Sequence, residues 1–166
     1  MQVEATNRRL VKFVVAAAIF FAWAMIQGAV ITQEPVRLFV EAGPGSMVSM
    51  AKTHIGLLGW MSLALMATFY YIVPLISGKS IVWPKLIDWV FWIFAVCGAA
   101  AGALMTIAGI VGGKAFAAGV SGAQLTGIIM PYAMPGGILC TICVIASIIF
   151  VVQILTTLTR GSKATG

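Results

Sequence analysis

The sequence predicts an all-α membrane protein of four transmembrane helices, both termini cytoplasmic, forming a single membrane domain over residues 1–166. Composition is the first reason. The chain is 61% apolar and only 8% charged, with a mean hydropathy of +1.09, whereas a soluble domain carries about 25% charged residues. So few charges cannot coat a water-facing surface, and lipid must be the solvent. The second reason is that the apolar residues gather into runs at about 13–33, 53–76, 86–111 and 133–158, and a helix needs roughly 20 such residues to cross the hydrocarbon core. The third is the placement of charge. Arg8, Arg9, Lys12, Lys79, Lys85, Arg160 and Lys163 flank these runs on one side, against Arg37, Lys52 and Lys114 on the other. Excess lysine and arginine marks the cytoplasmic side. The net charge of +6 is thereby spent on orienting helices, and it calls for no nucleic-acid partner.

The first run, Phe13–Gln33, follows Arg8, Arg9 and Lys12. Two arginines before an apolar core, with Ala22-Trp23-Ala24 as a small-x-small site, also fit a signal peptide. A retained first span anchored by its basic residues is the expectation. Glu34 to Lys52 is mixed in character: Glu34, Arg37 and Glu41 keep it out of hydrocarbon, and Gly43-Pro44-Gly45 signals a turn. An extracytoplasmic loop carrying a short surface helix is expected there. The second span starts at Thr53, with Tyr70 and Tyr71 at its far interface.

Ser77–Lys85 is a short polar link. Trp83 and Trp89 suit interface anchors, Pro84 suits a helix start, and Asp88 suits the first turn, with Lys85 as its expected partner. The third span carries Gly98, Gly102, Gly109 and Gly113. Small residues at four-residue intervals let helix backbones approach closely, so this face is expected to pack on another helix, in this chain or in a partner. Between Lys114 and Pro135 the pattern is ambiguous. It fits an outer loop with a broken helix, or the head of a long fourth span interrupted at Pro131 and Pro135. The polar tail after Leu158 is expected to be mobile.

The only histidine, His54, sits at the head of the second apolar run. An ionisable group at such a position is costly in lipid and is a functional candidate. A neutral imidazole can ligate metal or haem iron, carry a proton, or satisfy a backbone carbonyl. Gly56 and Gly59 strip bulk from the helix beside it, as a flat macrocycle against the backbone requires. Leu57, Leu58 and Met61, at three, four and seven positions on, give the same α-helical face an apolar floor. These residues by themselves fit a ligand and an interfacial bystander equally. Other chemistry is poorly supplied. Cys140 and Cys143 form one C-x-x-C pair inside an apolar run and, with Cys97, read as buried small residues. Glu4, Glu34, Glu41 and Asp88 fall at or beyond the membrane ends and suggest no acid–base pair.

The run His54-Ile55-Gly56-Leu57-Leu58-Gly59-Trp60, followed by Phe69-Tyr70-Tyr71-Ile72-Val73-Pro74, resembles the second transmembrane helix of the catalytic subunit of the haem-copper oxidase superfamily, most closely its nitric oxide reductase branch. Pro84-Lys85-Leu86 and Phe91-Trp92-Ile93-Phe94 are similar to the start of that branch's third helix. The likeness is strongest from Thr53 to Phe94 and covers only the family's first four helices. It implies that His54 is an axial ligand of a b-type haem near the outer face, cradled by Gly56, Leu57, Leu58 and Met61. The family's other histidines belong to later helices without counterpart here, so catalysis by this chain alone is not implied. The second axial ligand would come from a methionine (Met47, Met50, Met105, Met130 or Met134), from a partner subunit, or from a second copy of the chain. The setting implied is a multi-pass subunit of a respiratory complex in a bacterial or archaeal inner membrane, with a periplasmic cytochrome among its electron partners. The alternative expectation is a cofactor-free structural or assembly subunit. A transporter is disfavoured because no charged residue falls at mid-membrane.

Overall fold

The structure, a computed structural model, describes residues 2–162, with side chains from residue 8 onward. Lys163, counted above among the flanking charges, and the three residues after it lie outside the described residues, while Thr159 and Arg160 of the expected tail are the last residues of the final helix. The described chain is helical without a β-strand, and four of its helical stretches are long and apolar enough to cross a membrane. In order these are α1 (Gln2–Ile31), the short α2 (Glu34–Glu41), α3 (Ser46–His54), α4 (Ser62–Ser77), α5 (Lys85–Ala117) and α6 (Gly122–Arg160). A 3-10 turn at Gly43–Gly45 leads into α3, and a π-helical segment, Ile55–Met61, joins α3 to α4.

Two boundaries differ from the sequence expectation. The second span begins at Gly43 and runs to Ser77 without a break, so residues expected in an outer loop are its first turns. Polar Ser46, Ser49, Lys52 and Thr53 obscure this in a hydropathy pattern, but Ser46 and Thr53 hydroxyls bond Gly43 and Ser49 carbonyls and so cost the helix little. Pro35 in the first turn and Glu34 against the positive dipole end start α2, the expected surface helix. The fourth span is a single helix through Pro131 and Pro135, the second of the two readings above.

Packing follows the small residues. The glycine face of α5 is occupied within this chain. A Cβ on Gly102 would stand 2.5 Å from Ile55, on Gly109 2.7 Å from the Val48 backbone nitrogen, and on Gly113 2.4 Å from the Phe39 ring. α5 therefore lies directly against α2, α3 and the π segment, and an adjacent face, at Ala101, Met105 and Gly112, carries α6. The core at the other end of the bundle is aromatic. Phe13 contacts Tyr70 and Phe91 at centroid separations of 6.0 and 5.0 Å, and Phe13, Leu63, Tyr70, Ile87 and Phe94 are fully buried.

The start of α1, the link after α4 and the end of α6 meet at one end of the bundle. Arg9 donates to the Pro84 carbonyl at 2.7 Å, and the Lys79 ammonium donates to the Leu158 carbonyl at 2.6 Å. Asp88 pairs here with Lys12 and with Arg9 at 3.3 Å, not with the expected Lys85. Lys85 begins the helix that Asp88 belongs to, while α1 brings two cations across to the carboxylate. Lys12 also rests 4.7 Å above the centre of the Phe91 ring.

Candidate functional site

His54 closes α3, eleven residues into a helix that begins at Gly43, so it is not at a helix head. Counted from Ser77 it lies twenty-three residues along, about 34 Å at 1.5 Å per residue. That distance leaves it near the opposite interface even though the helix continues beyond it. The side chain is half-buried, and its Nδ1 is 2.9 Å from the Met50 carbonyl oxygen. A carbonyl only accepts, so Nδ1 carries the proton in the neutral ring. Nε2 is then the unprotonated nitrogen, directed away from the residue's own backbone. A ring nitrogen donating to a carbonyl is also how a metal-binding imidazole is oriented.

The π segment begins immediately after His54. Its wider turn leaves backbone carbonyls poorly matched to the following amides, and the Ser62 hydroxyl donates to the Leu57 carbonyl at 2.8 Å. Single π turns inside α-helices occur frequently at functional sites. The register has a direct consequence for the cradle. In an α-helix Leu57, Leu58 and Met61 would share the face of His54. Here the spacing is changed from Ile55 onward, and the set divides: Leu57 and Met61 are exposed, while Leu58 packs against the core. The neighbouring Trp60 leans on Phe21 of α1 at 5.0 Å between centroids.

The two glycines divide as well. A Cβ on Gly59 would fall 2.2 Å from Cδ1 of Phe20, so that gap holds an aromatic side chain of this chain and is not open to a macrocycle. Gly56 faces only the Ala24 Cβ, at 4.0 Å, and keeps a shallow low place between the helices. His54, Gly56, Leu57 and Met61 thus lie on or beside the outward face of the bundle.

The methionines do not close the site from within. Met105 packs toward Gly136 of α6, and α6 itself, which carries Met130 and Met134, packs on α5 and α4. Met47 and Met50 lie on α3 with His54, and Met50 is one turn before it. Two side chains of one helix turn cannot approach a flat ring from its opposite faces. Among the described residues no group of three or more His, Cys, Asp and Glu is arranged to hold a metal ion. Cys143 is buried, and Cys97, Cys140 and Cys143 are all free thiols.

Two polar clusters escape a hydropathy reading. At the His54 end, Gln27 of α1 donates to the Val48 carbonyl at 3.1 Å and to the Thr106 hydroxyl at 3.2 Å, and its own Oε1 is buried without a partner. At the basic end, Gln153 is fully buried, accepts from the Tyr70 hydroxyl at 2.8 Å, and donates to the Val82 and Trp83 carbonyls at 2.7 and 3.0 Å. Tyr70 is thus turned inward, unlike the half-exposed Tyr71 beside it, because neighbours on a helix point about 100° apart. Trp83, at φ +47, holds a backbone conformation unfavourable to a bulky residue, and the Gln153 bonds fix it there. The available signal was a lone amide between Val152 and Ile154 in an otherwise apolar run.

No protein-family model matches the chain, and no curated protein matches it significantly. The resemblance rests on the residues quoted for it, His54–Trp60, Phe69–Pro74, Pro84–Leu86 and Phe91–Phe94, alone.

Proposed function

We propose that this chain is a membrane subunit of a respiratory electron-transfer complex and that His54 supplies one axial ligand to a b-type haem at a face shared with another chain. The observation that carries the reading is the Nδ1 contact to the Met50 carbonyl at 2.9 Å. It fixes the tautomer in which Nε2 is the free electron-pair donor, as iron ligation requires. Exposed Leu57 and Met61 and the low place at Gly56 would form the apolar flank of such a site. A second ligand fits best from a partner subunit or a second copy, since Met105, Met130 and Met134 belong to the α5–α6 side. Bound haem would supply one-electron transfer, with a periplasmic cytochrome as the complementary partner. The same reading places both termini in the cytoplasm of a bacterial or archaeal cell, with the basic end facing inward.

A cofactor-free structural subunit is the second reading. It is favoured by the Phe20 ring in the Gly59 gap, the space a macrocycle would need beside His54. A reduced-minus-oxidised absorbance spectrum of the complex isolated in mild detergent separates the two. The haem reading requires a b-type band that His54→Ala abolishes while the helical circular dichroism persists. An unchanged spectrum in the variant, or no band in the intact complex, ends it.

A further inference from the structure

α1 and α4 leave between them an apolar groove of about 530 Å³ near the basic end, lined among others by Val11, Val14 and Val15 of α1 and Thr68, Tyr71 and Ile72 of α4. This is within the roughly 300–1,000 Å³ of small-molecule sites. Its polar content is already satisfied in part: the Thr68 hydroxyl donates to the Ala64 carbonyl at 2.9 Å. Arg8 stands one turn before Val11 on the same face of α1. It is exposed and makes no ion pair among the described residues. Because Phe13 is level with Tyr70, Arg8, five residues earlier, lies about 7 to 8 Å nearer the basic end. Arg8 is therefore about one helical turn beyond the groove's lining residues, on the side of the basic end.

The charge around that mouth is unbalanced. Arg8, Arg9, Lys12, Lys79, Lys85 and Arg160 give six positive charges at this end and Asp88 one negative, a described excess of +5. The other end has Arg37, Lys52 and Lys114 against Glu34 and Glu41, an excess of +1. Asp88 is engaged by both Arg9 and Lys12, so among the described residues Arg8 has no carboxylate of its own. An apolar groove one turn from an exposed arginine, at the end of the bundle where the described cations gather, complements an amphiphile with a hydrocarbon tail and an anionic head.

We propose that the α1–α4 groove is a resident binding site for an anionic phospholipid, with an acyl chain along Val11, Val15 and Ile72 and the phosphate at Arg8. This is independent of haem at His54, which lies toward the opposite end of the same helix. Basic pockets between membrane helices bind anionic headgroups, and each lysine or arginine near the surface contributes about 1 kcal/mol, a factor of about five in binding.

The test reconstitutes the full chain in nanodiscs of equal phosphatidylglycerol and phosphatidylcholine, extracts it in mild detergent, and measures retained lipid by native mass spectrometry. The intact protein should retain phosphatidylglycerol in preference to phosphatidylcholine. Arg8→Gln should lower that retention about fivefold, and Arg8→Lys should restore most of it. Val11→Trp, which fills the groove without changing charge, should abolish retention, and Val14→Trp repeats this should the first variant lose its helical circular dichroism. Equal retention of both lipids, full retention by Arg8→Gln, or retention by a folded groove-filled variant would each overturn the assignment. So would a tightly held protein helix in place of lipid.

Discussion

The hydroxyl of Tyr70 donates to Oε1 of Gln153 at 2.8 Å, joining α4 to α6 through two fully buried side chains. The same amide reaches the carbonyls of Val82 and Trp83, and Thr157, also fully buried, accepts from the Val82 amide at 3.2 Å. Every polar group of Gln153 is used, so the cluster locks the link between α4 and α5 onto the end of α6. Tyr70→Phe should destabilise the protein by about 0.5–2 kcal/mol. Gln153→Leu should cost more, because it strips partners from a hydroxyl and from two carbonyls at once. Equilibrium unfolding in mixed micelles measures both, and equal effects from the two variants would refute this account.

Gly59 and Phe20 make a second prediction. With 2.2 Å between a would-be Cβ and the ring, Gly59→Ala must displace the Phe20 ring or the stretch of α1 that carries it. A loss of about 1–3 kcal/mol is expected. Phe20→Leu should recover part of it in the double variant, as coupling between contacting residues requires. Gly56→Ala, which meets only the Ala24 Cβ at 4.0 Å, should be close to neutral.

The α5 seam predicts a graded response. A Cβ at Gly109 meets backbone as well as side chain of Val48, so no change of rotamer can relieve it. Gly98 has its nearest neighbour, the Phe20 ring, at 3.9 Å. Gly109→Ala should therefore lower the unfolding midpoint clearly, and Gly98→Ala should not. Similar midpoints for the two would show that the seam does not depend on close backbone approach.

Asp88 stands between two cations but is partly exposed, with 37% of its side chain accessible. Solvent screening keeps the value of such pairs small, so Asp88→Asn should cost about 1 kcal/mol or less. High salt should shrink the difference between the variant and the intact protein. A difference that persists undiminished in 1 M salt would point to a role beyond charge pairing.

His54 donates its one observed hydrogen bond to a carbonyl of its own helix. His54→Ala should consequently leave the bundle stable to within about 0.5 kcal/mol, as expected of a substitution that uncouples no packed elements. A large loss of stability would assign His54 a structural task and remove the reason to look for a ligand on Nε2.

Composition and run length were enough to establish an all-helical chain with four membrane-length helices, because the cost of exposing backbone polar groups to lipid admits few alternatives. The spacing of Gly98, Gly102, Gly109 and Gly113 likewise announced a close-packed face. Sequence did not disclose that this face is covered by Val48, Ile55 and Phe39 of the same chain, since small residues invite contact without naming the contacting surface. The start of the second span was hidden by Ser46, Lys52 and Thr53, which a helix can accommodate once the Ser46 and Thr53 hydroxyls bond its own carbonyls and the Lys52 side chain lies along Gly28. The face of His54 could not be read either, because a regular 3.6-residue period was assumed where the chain forms a π turn. Local chemistry fixed which segments enter the membrane and which residues could act there. Only tertiary packing decided that Phe20 fills the space beside Gly59 and that Gln153 fastens the basic end, because each outcome depends on residues brought together from distant parts of the chain.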